Sequence, residues 1–207
     1  MANIVFERKI YDKMLAWKQE RQGKTALLIK GARRIGKSTI VRTFAGREYK
    51  SYILIDFSMA SKAVTDLFED LMNLDFIFLR LQSIYQVVLE KRKSVIIFDE
   101  VQLCERALTS LKYFYENAPE YHVIVAGSLL GVAVNREQFS FPVGKVDIKT
   151  LYPMDIEEFL LACGETDLVE QIKKCFESNR PLPTVLHEAA LKYYRQYLVI
   201  GGMPDCI

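Results

Sequence analysis

Cysteine and histidine are scarce in this sequence. Its four cysteines, Cys104, Cys163, Cys175 and Cys206, include no CxxC pair, and His122 and His187 are the two histidines. That excludes the compact Cys/His spacing of a structural zinc site. A chain of 207 residues can bury a core without disulfide staples. The expectation is therefore a reducing, cytoplasmic setting in which each thiol is a small buried hydrophobe. Long apolar runs are missing too. The opening MANIVFERKIYDK lacks a signal peptide's extended apolar core. No later stretch approaches the roughly 18 apolar residues of a membrane span, so neither export nor anchoring is expected. Nor is there an excess of one charge: Lys+Arg number 28 against 26 Asp+Glu, a formal net charge of +2. Bulk electrostatics thus give no support to a nucleic-acid or anionic-membrane partner. What is present is ordinary for a globular chain, with 50% hydrophobic and 26% charged residues, which excludes a disordered or collagen-like segment.

Periodicity supplies the organisation. Ile10, Met14 and Trp17 fall at i, i+4 and i+7 and predict an amphipathic helix closed near Gly23. Short β-branched runs at 25–30, 52–56, 94–99, 122–126 and 146–150 predict five strands. Between them, Ile77, Leu81, Ile84 and Val88 form one helical stripe, and Leu108, Leu111 and Phe114 form another. Strands alternating with helices predict an α/β fold with a parallel sheet covered on both faces. After Thr150 the pattern turns helical. Ile156, Phe159, Leu160 and Cys163 share one face, and Leu186, Ala190, Tyr193 and Tyr197 share another, with a break at Asn179-Arg-Pro-Leu-Pro183. A boundary near Leu151-Tyr-Pro153 divides a core domain, 1–150, from a small helical lid or linker, 151–207.

The strongest chemical signal is Gly31-Ala-Arg-Arg-Ile-Gly36-Lys37-Ser38, a GxxxxGK[ST] loop between a strand and a helix. Such a loop turns tightly enough for successive N–H groups and a helix N-terminus to face phosphate oxygens. The candidate cradle is Gly31, Ala32, Arg33, Arg34, Ile35, Gly36, Lys37, Ser38 and Thr39. Lys37 would reach the β- and γ-phosphates, and the Ser38 hydroxyl would be an oxygen ligand of Mg²⁺. The Arg33 and Arg34 side chains read either as solvated charge or as contacts to phosphate or a partner.

In Ser94-Val-Ile-Ile-Phe-Asp99-Glu100, four apolar residues deliver two carboxylates to the C-terminal end of a strand, where parallel sheets bind ligands. Asp99 is the candidate Mg²⁺ support and Glu100 the candidate base for an attacking water. The next strand leads through Gly127 to Ser128, which either senses the γ-phosphate or caps the helix begun by Leu129. His122 opens that strand at the end away from the phosphates and reads as structural. Arg136 is the positional candidate for an arginine finger against a solvated loop residue, and Lys145 is a weaker one. Lys91-Arg-Lys93 is basic, but its spacing suits a solvated helix end. Three activities remain open at this point: hydrolysis of ATP with Mg²⁺, an ATP-dependent binding module with little turnover, and a small-molecule kinase. A guanine-reading Asn-Lys-x-Asp run is absent from the sequence, which disfavours GTP.

Gly31 to Thr39, Ile97-Phe-Asp-Glu-Val-Gln102, Ala126-Gly-Ser128, Leu151-Tyr-Pro-Met154 and Glu157-Glu-Phe159 occur in one order over nearly the whole chain. Together they resemble the prokaryotic AAA-type P-loop ATPases of the additional-strand group that join an ATPase domain to a C-terminal nuclease-like domain of unknown function. The resemblance implies a three-layer P-loop NTPase sandwich with sheet order 5-1-4-3-2. It also implies Walker B, catalytic-glutamate and sensor roles for Asp99, Glu100 and Ser128. Tyr197-Leu-Val-Ile-Gly-Gly-Met-Pro204 resembles the approach to the family's second domain. The resemblance therefore implies an effector domain outside this sequence and leaves a homo-oligomer open. Where the family more often has Gly-Arg before the last strand, this chain has Gly144-Lys145.

Overall fold

The computed structural model describes residues 6–127 and 144–207. Ser128 and Arg136, both named above, lie outside the described residues. The chain forms two compact units: Ile10–Leu151, and the residues before it together with Tyr152–Ile207.

The larger unit is built around five parallel strands: β1 (Ala26–Lys30), β2 (Ser51–Asp56), β3 (Ser94–Asp99), β4 (His122–Gly127) and β5 (Val146–Thr150). Their order is β2-β3-β4-β1-β5. This is the expected 5-1-4-3-2 order read from the other edge, with every pairing parallel. Order explains burial. β3 and β4 lie inside the sheet and are buried along their whole length, whereas the edge strand β5 is nowhere fully buried.

Period-two alternation divides the strand side chains between two faces. Ile53, Ile55, Ile96, Phe98, Val123 and Val125 belong to one large cluster. It is closed by α4 (Leu74–Tyr85) through Ile77 and Leu81, and by α5 (Glu105–Asn117) through Leu108, Leu111 and Phe114. Alternate residues Leu27, Ile29, Val95, Ile97 and Ile124 are buried as well, so both faces are covered. The helices α1 (Ile10–Arg21), with Ile10, Met14 and Trp17 buried as its spacing predicts, and α2 (Lys37–Glu48) complete the main helical layers. A short α3 (Lys62–Thr65) runs into a one-turn 3-10 helix at Asp66–Phe68.

Two expectations need correction. Ile84 is 39% exposed within α4, and Val88 is 72% exposed beyond it, because α4 ends at Tyr85 with Gln86 in a left-handed conformation (φ 54°). The buried face of α4 is Leu74, Ile77, Phe78 and Leu81 instead. Of the cysteines, Cys104 is buried, Cys175 is half-buried, and Cys163 and Cys206 are exposed. Cys163 caps the end of a helix rather than continuing its apolar stripe.

The smaller unit contains α6 (Ile156–Ala162), α7 (Thr166–Glu177) and α8 (Thr184–Ile200). Asp155 and Glu158 form a reciprocal capping box at the start of α6. Leu160, Leu168 and Val169 make a small core against Ile156, Ile172, Leu186, Ala190 and Tyr193. Arg8 Nε lies 3.3 Å from Glu158 Oε1 with both side chains buried, and Arg8 Nη2 donates to the Tyr152 carbonyl at 2.6 Å. No helix among the described residues is long and apolar enough to cross a membrane.

Candidate nucleotide site

The glycine-rich loop joins the C-terminal end of β1 to α2. Gly31 is held in a close backbone approach. A Cβ there would lie 2.4 Å from the Leu151 carbonyl oxygen and 2.4 Å from Ile35 Cδ1, so only glycine fits. Leu151 is itself fixed, its N–H donating to the Lys30 carbonyl at 2.8 Å. Ile35, completely buried, roots the middle of the loop in the core. Gly36 then takes a left-handed turn (φ 87°) that a side chain would disfavour, and α2 begins at Lys37.

Lys37 is buried at 6% exposure, yet its ammonium donates to the Gly31 and Ala32 carbonyls at 3.1 and 2.6 Å. Burial lowers its pKa. The carboxylates of Glu100 and Asp99 oppose that change, and the nearby Arg33 charge adds to it. Arg33 and Arg34 are exposed, as is Thr39 in the first turn of α2.

Asp99 closes β3 at 4% exposure, with the Ser38 side chain near its carboxyl. Burial raises its pKa, the Ser38 hydroxyl and the Glu100 N–H oppose the rise, and the charges of Asp56 and Glu100 reinforce it. The Glu100 N–H donates to Asp99 Oδ1 at 3.0 Å. Glu100 sits half-buried with φ 48°, outside the strand conformation, and its Oε2 accepts a hydrogen bond from Gln102 Nε2.

Lys37, Ser38, Asp99 and Glu100 all lie at the end of the sheet where β1 and β3 both terminate. β4 runs between these two strands and ends at Gly127, paired with Lys30 of β1. Asp56 was not singled out from sequence. It is the register partner of Asp99 across β2 and β3, and it accepts bonds from Ser58 N–H and Oγ at 2.9 and 2.5 Å. A carboxylate closing a neighbouring strand was the signal available for it.

Other charged residues lie elsewhere. Lys145 precedes β5 beside the start of β1, where its carbonyl accepts from the Ala26 N–H at 3.2 Å and its ammonium pairs with Glu116. His122 is buried at the same end of the sheet, its Nδ1 2.6 Å from the Tyr49 hydroxyl, and burial pushes its pKa down to about 4. Lys91 pairs with Glu120 at 2.6 Å and Lys93 with Glu90 at 3.6 Å, which partly neutralises that basic cluster.

The sequence pattern of the AAA domain family matches residues 23–160, a span that includes the loop, both carboxylates and all five strands. The chain belongs to this AAA domain family. Membership assigns it nucleotide binding and hydrolysis in general terms. No curated protein sequence matches the chain. Among solved structures it is similar to the Aeropyrum pernix ORC2 protein, with a TM-score of 0.51 and 13% identity over 80% of this chain and 53% of that one. The Thermotoga maritima RuvB Holliday junction branch migration motor gives a TM-score of 0.48 at 13% identity, over 94% and 70%. PCH-2 of C. elegans gives 0.47 at 11% identity, over 84% and 49%. At these identities the likeness concerns the fold alone. The AAA chain described here spans about half the length of the PCH-2 and ORC2 chains.

Proposed function

We propose that this AAA domain binds ATP with Mg²⁺ and hydrolyses it, and that turnover drives a conformational change in an effector. The observation that carries the reading is that the phosphate loop, with Lys37 and Ser38, and the carboxylates Asp99 and Glu100 lie at the same end of the parallel sheet. Two hard oxygen donors at the same end of the sheet suit Mg²⁺. No group of three or more His, Cys, Asp or Glu able to hold a metal occurs among the described residues, so phosphate oxygens and water would complete the shell. Ser38 would ligate the ion directly and Asp99 would hold it through water. When bound, the ion would neutralise charge on the β- and γ-phosphates.

The chain's own residues account for the rest. Lys37 exchanges the Gly31 and Ala32 carbonyls for phosphate oxygens, a trade from neutral to charged acceptors that strengthens its hydrogen bonds. Glu100 accepts a proton from water as the water oxygen bonds to the γ-phosphorus and the bond to the bridging oxygen breaks, releasing ADP and phosphate. Such a base contributes about 10²–10⁴-fold. An arginine from a second copy of the chain would complete the charge stabilisation, and the separate helical unit Tyr152–Ile207 is the element to which we assign coupling.

Product analysis tests the reading. Incubated with ATP and Mg²⁺ alone, the protein should release ADP and free phosphate, and chelation of Mg²⁺ should stop the release. Phosphate transfer only in the presence of a second small molecule would make it a kinase. Binding without turnover at any protein concentration would make it a regulatory module.

A further inference from the structure

Gln102 is the remaining polar residue of the Asp99-Glu100-Val101-Gln102 run and has no role so far. It lies in a one-turn 3-10 helix, Val101–Leu103, that follows Glu100 directly. Its amide nitrogen donates to Glu100 Oε2, while its amide oxygen is buried with no hydrogen-bond partner among the described residues. A buried, unsatisfied carbonyl costs about 1–3 kcal/mol, and an apolar side chain of the same shape would avoid that cost. The amide therefore weakens the fold at its oxygen end, and what it gains there is the bond to Glu100.

The backbone around Glu100 is already fixed. Its carbonyl accepts from the Leu103 N–H at 3.0 Å, the Val101 carbonyl accepts from the Cys104 N–H at 2.9 Å, and Val101 is fully buried. A left-handed φ of 48° at a glutamate persists because these contacts over-determine it. The freedom left to Glu100 is rotation of its long side chain, which carries up to about 2 kcal/mol of rotamer entropy. Gln102 removes that freedom by holding one carboxylate oxygen.

We propose that Gln102 is a positioning residue for Glu100, pre-organising the carboxylate that activates the attacking water. This rests on the reading of Glu100 as the base. Displacing a reacting group by about 1 Å costs on the order of 10²-fold in rate, and that is the size of effect at stake.

The test is a double-mutant cycle on full-length protein, read as nucleotide affinity, turnover and melting temperature. Gln102→Met keeps the shape and removes the amide. It should lower kcat by about 10–100-fold, leave nucleotide Kd within about twofold, and leave Tm equal or higher because the orphaned acceptor is gone. Gln102→Glu, which turns the donor into a carboxylate facing Glu100, should lose turnover at least as severely. In a Glu100→Gln background, Gln102→Met should cause no further loss. Turnover at the wild-type rate in Gln102→Met would overturn the proposal. So would losses of Kd and Tm that parallel kcat, or an undiminished effect in the Glu100→Gln background. If Glu100→Gln itself hydrolyses normally, the assignment of the base has failed, and this outcome is distinct from a failure confined to Gln102.

Discussion

The loop conformation makes Gly31→Ala a demanding test. The added methyl would sit 2.4 Å from the Leu151 carbonyl oxygen, about 1 Å short of the 3.4 Å at which ordinary contact begins. Ile35 Cδ1 is equally close but is the tip of a side chain. The Leu151 oxygen is backbone, and the residue is tied to Lys30 at 2.8 Å. Either the end of β5 or the loop must therefore yield by about 1 Å. Overpacking of this kind costs about 1–3 kcal/mol. For a chain of this size that corresponds to a Tm lower by roughly 2–12 °C. A shift of the loop takes its N–H groups out of alignment, and nucleotide affinity should fall at least about tenfold, equivalent to about 1.4 kcal/mol. Thermal unfolding without nucleotide and equilibrium titration with ATP separate the two effects. A Gly31→Ala protein with unchanged Tm and unchanged affinity would refute the close-approach argument.

Further outcomes follow from the buried charges. His122, lowered by burial from 6.5 to about 4, stays neutral in the folded state while the unfolded chain takes up a proton. Its stabilising contribution is complete above pH 6.5 and is lost as pH falls towards 4, by about 3 kcal/mol in all. Replacing His122 with Phe should flatten this acid limb in chemical denaturation between pH 7 and pH 4, and an unchanged limb would count against it. Glu158→Ala withdraws the carboxylate from the buried Arg8 guanidinium and dismantles the Asp155 capping box, so the smaller unit should lose about 3–5 kcal/mol. Hydrogen exchange in α6 reads this loss directly, and wild-type protection there would contradict it.

The phosphate loop was legible because all its residues are contiguous and lie between a strand and a helix. The five strands were legible because buried parallel strands read as short β-branched runs. Their order, by contrast, came from a family resemblance, since periodicity carries no information about which strands are neighbours. Asp56 went unnoticed because its meeting with Asp99 depends on register between strands 43 residues apart in sequence. The stripe failed at Val88 for a local reason, the left-handed Gln86 that ends α4. The partial overlap of α7 with the small core, through Leu168 and Val169, rests on two buried residues and gave too weak a periodic signal to single out.

The central claim is that Lys37 serves binding and Glu100 serves chemistry. ATP affinity and phosphate release should be measured with Mg²⁺ for the wild-type protein, Lys37→Ala and Glu100→Gln. The account predicts that Lys37→Ala loses nucleotide affinity, and that Glu100→Gln binds ATP normally while turnover falls by about 10²–10⁴-fold. Undiminished binding by Lys37→Ala, or phosphate release by Glu100→Gln at the wild-type rate, would contradict it.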